Sequence, residues 1–489
     1  MRKVLVSIAF FIVFPLNARG AEFQDDLRAR RLRIMDRLGP EAMLILWSAP
    51  VQTYSRDVDY EYRQDSNLYY LTGIDQEETT LVLMPGNATR REILFIKQRD
   101  PVREHWHGRL LSKEEATAQS GIHQVYLTSE FEQFVSDIFS QRAYGVDRYA
   151  ASTEFKSFFT ALGNEKARLA LILDPKPQLN RPMAPNLEFA NRLKERFFGF
   201  TVQDVTNIFR DLRGIKTSYE QKILERSVAI SSDAHMAGMK AAHPGGYEYE
   251  VEAAIEYVYK SKGALGWGYP SIVASGPNAT ILHYSKSTRK MEANDLLLVD
   301  AAASYEYLTG DITRTYPVSG AFTPAQKEIY RIVLAAQEEG IKQARVGKRL
   351  TEIHKKTVEV IKEGLLRLGL ITDASSDQYR TWYTHGACHY IGMDVHDVGD
   401  NDWPLAPGMT FVIEPGIYVR EGALENLPKT PANTLFIEKV RPAFEKYKNI
   451  GVRIEDSFLL TESGLKNLSV RVPKTIQEVE RFMQQATKP

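Results

Sequence analysis

A single cysteine, Cys388, occurs in 489 residues. No intramolecular disulfide can form, so stability rests on core burial alone even in an oxidising compartment. Net charge is also lacking, since 62 Lys and Arg balance 62 Asp and Glu with no basic block or acidic tail. That excludes the electrostatic footprint of a nucleic-acid partner or an anionic membrane surface, and points to a small or neutral ligand. After the N-terminus no apolar run is long enough to span a bilayer. The motifs H-E-x-x-H, G-x-S-x-G and G-x-x-x-x-G-K, and a complete G-x-G-x-x-G, are missing. Zincin, serine-elbow, phosphate-loop and dinucleotide readings are thereby set aside. Solenoid repeats and low-complexity tracts are absent too.

What is present begins with Arg2 and Lys3, an apolar run from Val4 to Leu16, and small residues at Ala18 and Gly20. This is the layout of a cleaved export signal over residues 1–20, with a mature chain starting at Ala21 and delivered to the periplasm or the exterior. The length exceeds what one core usually fills, so at least two domains are expected. From residue 21 to 205, short β-rich runs such as "AMLILWS" and "TTLVLMPG" alternate with helical stretches such as "FQDDLRARRLRIMDRLG", an α/β pattern. A second domain is expected over residues 206–489. There Thr217 and Glu220 form a capping box opening a long helix closed by "HPGG" at residues 243–246. Thr323, Pro324 and Gln326 open another, reaching about Gly347, and a third runs from Thr351 to about Gly369. Between and after them, "SIVAS" turning through "GPN" into "ATILHY", then "LLLVDAAA", "DITRTYPV", "TFVIEPGIYV" and "VRIEDSFLLT", read as strands. Mostly hairpin-connected strands with intervening helices predict an α+β domain rather than a doubly wound parallel sheet.

Acids interrupt those apolar runs. Asp300 ends "LLLVD", Asp311 opens "DITRTY", Glu414 interrupts "TFVIE", and Glu455 with Asp456 interrupts "VRIE". An unpaired buried charge is strongly unfavourable. Any one of these acids could face outward or sit in an ion pair, but four such sites in one domain ask for a shared cation. Oxygen-rich donors with one histidine suit manganese or cobalt, with zinc also possible. Four carboxylates exceed the charge of one divalent ion, so two ions are expected, and with them hydrolysis by acidified water. The stretch "HGACHYIGMDVHDVGD" sets His385, His389 and His396 around Cys388. It could supply the nitrogen ligand, or His385 or His389 could activate the thiol as a nucleophile. The thiol reading leaves the acids unexplained.

In order, "LLLVDAAASYEYLTGDITRTYPV", "HGACHYIGMDVHDVG", "FVIEPGIYV" and "GVRIEDSFLLT" resemble the metal-binding blocks of the pita-bread metallopeptidases, specifically Xaa-Pro aminopeptidase (aminopeptidase P) and prolidase. "YRQDSNLYYLTG" and "REHWHGRL" resemble blocks of the family's N-terminal domain, so the resemblance covers nearly the whole mature chain. It implies a pita-bread catalytic domain behind an α/β N-terminal domain, and two divalent ions, Mn(II) foremost, with Co(II) or Zn(II) as alternatives. Its ligands would be Asp300, Asp311, His389, Glu414 and Glu455. Asp311 and Glu455 would bridge, Asp300 would serve one ion, and His389 with Glu414 the other. His283 would shuttle a proton or hold a carbonyl. His385 and His396 would line the proline pocket and hydrogen-bond the substrate, and Glu414 would carry a proton to the leaving nitrogen. Arg453 would orient ligands at the substrate-binding surface. Only the resemblance selects His389 over its two neighbours, and His354, which has no matching block, is read as solvated.

A bond preceding proline is a tertiary amide with no N–H, on a restricted ring, and so requires a dedicated pocket. "HGACHYIGMDVHDVG" and "ASGPNATILHYSKS" are more similar to the aminopeptidase, which implies removal of one N-terminal residue from Xaa-Pro-Xaa peptides. The segment "ENLPKTPANTLFIEKVRPAFEKYKN" resembles an insertion relative to compact bacterial aminopeptidases, and leaves an Xaa-Pro dipeptidase as the alternative. A non-catalytic pita-bread peptide-binding protein is the alternative from a different class. Relatives commonly form homodimers or homotetramers.

Overall fold

The computed structural model describes residues 20–145, 153–173 and 179–486. The export signal expected over residues 1–20 lies, apart from Gly20, outside the described residues. Two compact units divide between Phe209 and Arg210, slightly beyond the expected 205/206 junction.

The first unit opens with helix α1 (Ala21–Leu38) and is built on one mixed sheet. Its strands are β1 (Ala42–Trp47), β2 (Thr80–Leu83), β3 (Glu92–Ile96), β4 (Gln124–Leu127), β5 (Ala167–Leu171) and β6 (Phe200–Asp204), in spatial order β4-β3-β2-β1-β5-β6. The central strand β1 runs antiparallel to β2 and parallel to β5. Ala42 to Leu46 of β1 are all buried, the continuous apolar run of a strand covered on both faces.

The second unit is α+β. Its helices are α2 (Ser218–Ala241), α3 (Glu248–Ser261), α4 (Pro324–Gln343), α5 (Leu350–Leu368) and α6 (Pro431–Tyr447). The capping boxes at Thr217 and Thr323 are formed as expected, each threonine accepting from a backbone N–H while Glu220 or Gln326 reaches back. Helix α2 ends at Ala241, just before the "HPGG" stretch, and α4 at Gln343, short of the expected Gly347. Ala242 and Ala344 turn extended, and the Gly347 N–H is taken by the Leu405 carbonyl instead. Gly369 ends α5 in a left-handed conformation, φ 73°. On α5, Gly364 lets α4 approach, because a Cβ there would come within 2.4 Å of the Ile332 side chain.

Antiparallel strands carry the acids. The strands β7 (Ile272–Ser275), β8 (Leu296–Asp300) and β9 (Thr313–Pro317) form one sheet, with Asp300 opposite both Ile272 and Thr313. A second sheet joins β10 (Thr410–Ile413), β13 (Asp456–Thr461) and β14 (Gly464–Asn467), and a third pairs β11 (Gly416–Tyr418) with β12 (Gly451–Arg453). Thus Asp300 is the last residue of β8, Glu414 follows β10, and Glu455 sits between β12 and β13. The acids occupy strand ends, where backbone geometry is free to turn side chains toward one point. "ATILHY" is not a strand: Gly276–Thr280 is a 3-10 turn and residues 281–284 are loop. The buried Glu248 carboxylate holds it, accepting from Ser275 N–H, Asn278 Nδ2, Tyr284 O–H and Arg289 N–H.

Asp456 separates from the other acids. It is fully buried and paired with Arg314 at 2.6 Å and Lys474 at 2.7 Å, and it also accepts from Ser469. Arg314 in turn donates to the Glu455 and Val472 carbonyls. Asp456 is therefore an ion-paired core acid directly behind the site. Asp456→Ala leaves the Arg314 guanidinium unpaired in the core, a loss of about 3–5 kcal/mol. Calorimetry should show the second unit's Tm falling by roughly 5–10 °C; an unchanged Tm would contradict this placement.

Candidate metal centre and active site

A cavity of about 340 Å³ is lined by all nine residues singled out in the sequence: His283, Asp300, Asp311, His385, His389, His396, Glu414, Arg453 and Glu455. They come from segments up to 172 positions apart, from His283 to Glu455. Two backbone seams bring them together. The Glu455 N–H donates to the Thr313 carbonyl at 3.1 Å, joining the segment after β12 to β9. The Val412 and Glu414 N–H groups donate to the His389 and Ala387 carbonyls at 3.0 and 2.8 Å, fastening the histidine loop along β10.

Asp311, His389 and Glu455 each present a ligand atom within 4.8 Å of the others. His389 Nε2 stands 3.5 Å from Asp311 Oδ2, 3.7 Å from Glu414 Oε1 and 3.9 Å from Glu455 Oε1. Its Nδ1 is 3.0 Å from the Tyr390 carbonyl, which as acceptor fixes the tautomer with an Nε2 lone pair facing the acids. Burial pulls the His389 imidazole down to about 4, so it is neutral at physiological pH. Burial also pushes Asp311, Glu414 and Glu455 above the usual carboxylate range, and the like charges of Asp300 on Asp311, Glu455 on Glu414, and Asp311 on Glu455 push them further. Burial alone would raise Asp300 as well, but the Arg453 guanidinium and the Tyr269 hydroxyl, with other hydrogen bonds, together hold it low. Among the described residues the buried Glu455 Oε1 atom has no hydrogen-bond partner. A neutral imidazole, an orphaned carboxylate oxygen and mutually repelling acids together fit divalent cations.

Hydrogen bonds hold the acids in place. Arg453, 4% exposed, donates to Asp300 Oδ2, to Thr313 Oγ1 at 3.0 Å and to Tyr418 Oη at 3.0 Å. These bonds match the orienting part of its expected role. Thr313 donates onward to Glu455 Oε2 at 2.7 Å. The Nδ1 of His385 faces the Gly386 carbonyl and its Nε2 the Tyr418 hydroxyl, both at 2.8 Å. Both ring nitrogens of His385 thus have protein partners. Burial, then Arg453, lowers it to about 3. His396 and His283 are exposed at the cavity wall, and the His396 ring lies 4.5 Å from that of His389.

Three further residues carry no signal in the sequence. Tyr269 directs its hydroxyl at Asp300 Oδ1, 2.7 Å away, and at Asp311 Oδ1. His235, buried on α2, meets the Ala301 carbonyl at 2.9 Å, next to Asp300. His354 is half-buried on α5 rather than solvated, and its Nδ1 accepts from the Ala387 N–H at 3.1 Å, inside the histidine loop. Burial lowers its pKa, which keeps that nitrogen an acceptor. No linear motif links these residues to the ligands; each could have been found only by a contact across the fold.

Cys388 is buried, and burial together with Glu414 and Glu455 pushes its thiol well above the usual range. Among the described residues no hydrogen bond joins its sulfur to a histidine. The thiol reading is left without an activating base.

The sequence profile of metallopeptidase family M24 matches residues 222–462, and that of the aminopeptidase P N-terminal domain residues 27–149. The Xaa-Pro aminopeptidase of Haemophilus influenzae is 32% identical over 470 residues, covering 94% of this chain and 97% of its own. The chain belongs to metallopeptidase family M24. Among solved structures, this M24 metallopeptidase is similar to aminopeptidase PepP of Pseudomonas aeruginosa, with TM-score 0.79 and 32% identity over 95% of this chain and 98% of that one. A zinc-substituted Escherichia coli aminopeptidase P in complex with product matches with TM-score 0.78 and 30% identity, over 95% and 99%. The catalytic unit of the M24 metallopeptidase is thus a pita-bread domain, as the sequence implied.

Two expectations follow. Cys388→Ala keeps most of the turnover, and an inactive variant that is folded and metal-loaded would restore the thiol reading. His354→Leu strands the Ala387 N–H at a cost of roughly 1–3 kcal/mol and lowers both Tm and divalent-metal affinity, whereas His354→Asn, whose side-chain oxygen can accept, largely recovers both. Equal behaviour of the two variants in thermal shift and metal titration would refute this role.

Proposed function

We propose that the protein is an Xaa-Pro aminopeptidase that uses two divalent ions, Mn(II) foremost, to release the N-terminal residue from peptides with proline in second position. The convergence of His389 with Asp311, Glu414 and Glu455 carries this reading. It is supported by the 32% identity to a Xaa-Pro aminopeptidase along nearly the whole chain. Asp311 and Glu455 would bridge the ions, Asp300 would hold one, and His389 with Glu414 the other. Co(II) and Zn(II) suit the same donors. When bound, such a pair supplies Lewis acidity and brings the acidity of water close to neutrality.

The residues supply the rest. The carbonyl carbon before proline gains the oxygen of water, the C–N bond breaks, and the proline nitrogen must take a proton to leave. Glu414, raised by burial and by Glu455, can hold that proton and pass it on. His283 and His396, at the open wall, can donate to the carbonyl oxygen as charge develops there. The His385 ring face, backed by Tyr418, forms an apolar wall suited to a pyrrolidine ring. Arg453 and Tyr269 keep the acids from rotating as charge shifts.

The basic start and apolar run at residues 2–16 support export to the periplasm or beyond. No described helix is long and apolar enough to cross a membrane. We also propose a homodimer or homotetramer.

Purified protein given Mn(II) should cleave Xaa-Pro-Xaa tripeptides; cleavage of Xaa-Pro dipeptides alone would replace the aminopeptidase by a dipeptidase. Asp311→Asn and Glu455→Gln should each lower kcat by at least about 10³-fold, since each removes a proposed bridge. Failure of the wild type to retain any divalent ion after manganese loading would favour a non-catalytic binding protein.

A further inference from the structure

A second cavity, of about 370 Å³, adjoins the catalytic one. Leu282 lines both, and Tyr418, whose hydroxyl meets His385, forms part of the second wall. The two cavities have opposite electrostatic character. The catalytic pocket is lined by carboxylates, whereas the charged residues on the second wall are Arg380 and Arg420, with no acid among the described lining residues.

Neighbouring acids do little to neutralise those arginines. Arg380 is 3.5 Å from Asp377, an exposed pair of small energetic weight that leaves most of the guanidinium accessible. Arg420 is exposed and has no ion pair among the described residues. Glu421 is 3.9 Å from Lys448, and Glu425 pairs with Arg441 at 3.0 Å. Asn426 and Leu427, from the segment between β11 and α6, complete this side of the wall. The stretch beginning at Glu425, which resembled an insertion, therefore helps to build the cavity.

A peptide substrate is itself asymmetric, with an ammonium at its N-terminus and a carboxylate at the other end. The bond before proline must lie in the catalytic pocket, so the chain beyond proline leads away from it, and the arginine-lined neighbour complements a carboxylate at that end. From this juxtaposition we infer that the Arg380–Arg420 cavity is a subsite for a carboxylate on the downstream part of the substrate, which gives the enzyme a preference for peptides carrying one at the right distance beyond proline. The inference rests on the aminopeptidase reading above. The carboxylate has two sources, the peptide's own C-terminus and an Asp or Glu side chain.

The test uses the manganese-loaded full chain and Ala-Pro peptides extended with alanine from tripeptide to hexapeptide, each as free acid and as C-terminal amide. A parallel amide series carries glutamate at each downstream position. At one length the free acid should have a KM about fivefold below its amide, the effect of one accessible ion pair, and the ratio should shrink as ionic strength rises. An acid-over-amide advantage identifies the C-terminus as the source, and an advantage for one glutamate position identifies a side chain. Arg380→Gln or Arg420→Gln should bring that KM ratio close to one. Each ratio is taken within one variant, so a general loss of folded enzyme cannot mimic the effect. Equal KM for acid, amide and glutamate peptides at every length overturns the subsite, as does discrimination that survives both substitutions. Turnover of dipeptides alone, or of no Xaa-Pro peptide, overturns the aminopeptidase reading and the subsite with it. That outcome is recognised because the amides fail as well.

Discussion

Four carboxylates held within one buried cavity cannot all be ionised unless cations answer their charge. Asp300, Asp311, Glu414 and Glu455 are in that position, with Arg453 as the guanidinium among them. That guanidinium, with the Tyr269 hydroxyl, holds one acid, Asp300, below the usual carboxylate range. The remaining three are driven toward their neutral forms by burial and by one another. An imidazole kept neutral by the same burial adds a lone pair without adding charge. The pocket is thus poised to gain free energy from divalent ions, and the surrounding structure serves to keep it from collapsing into internal ion pairs or rotating its oxygens outward.

The fold meets that constraint by ending strands at the site. Asp300 closes β8, Glu414 follows β10, and Glu455 lies at the change from β12 to β13. A strand interior alternates its side chains between faces, but a strand end can turn. Behind the site, charges are matched. Arg314, Lys474 and Asp456 form a buried group whose bonds to the Glu455 and Val472 carbonyls fix the crossing of the strands. Deep ion pairing at Asp456 and uncompensated acids one residue away at Glu455 show how sharply the chain separates an acid used for architecture from one left available.

Membership of family M24 gives this arrangement its chemical context. Tyr418 links three functions: it accepts from Arg453, meets His385, and lines the arginine-bearing cavity. The guanidinium beside Asp300, the His385 ring and the arginine-bearing cavity therefore share one side chain. Histidines within one twelve-residue span act differently for the same reason. His389 has one nitrogen on a carbonyl and the other on acids, His385 has both engaged, and His396 is open to solvent.

Much of this was legible in the sequence. Acids inside apolar runs betray themselves because burial penalises an unmatched charge wherever it occurs, and capping boxes at Thr217 and Thr323 are local devices that work regardless of context. Local pattern failed where a distant group decided the outcome. "ATILHY" has strand composition, but the carboxylate of Glu248 draws that segment into a turn and loop. Asp456 reads like its neighbour Glu455 until Arg314 is placed beside it. His354 looked solvated until α5 brought it under Ala387, and Tyr269 was silent until its hydroxyl met two acids. Sequence alone determined which residue types would be buried at which strands, because that depends on composition along a few consecutive positions. Tertiary structure alone decided which acid is paired, which histidine nitrogen is free and which arginines face a cavity, because hydrogen bonds and charges act over a few ångströms in space whatever their separation along the chain.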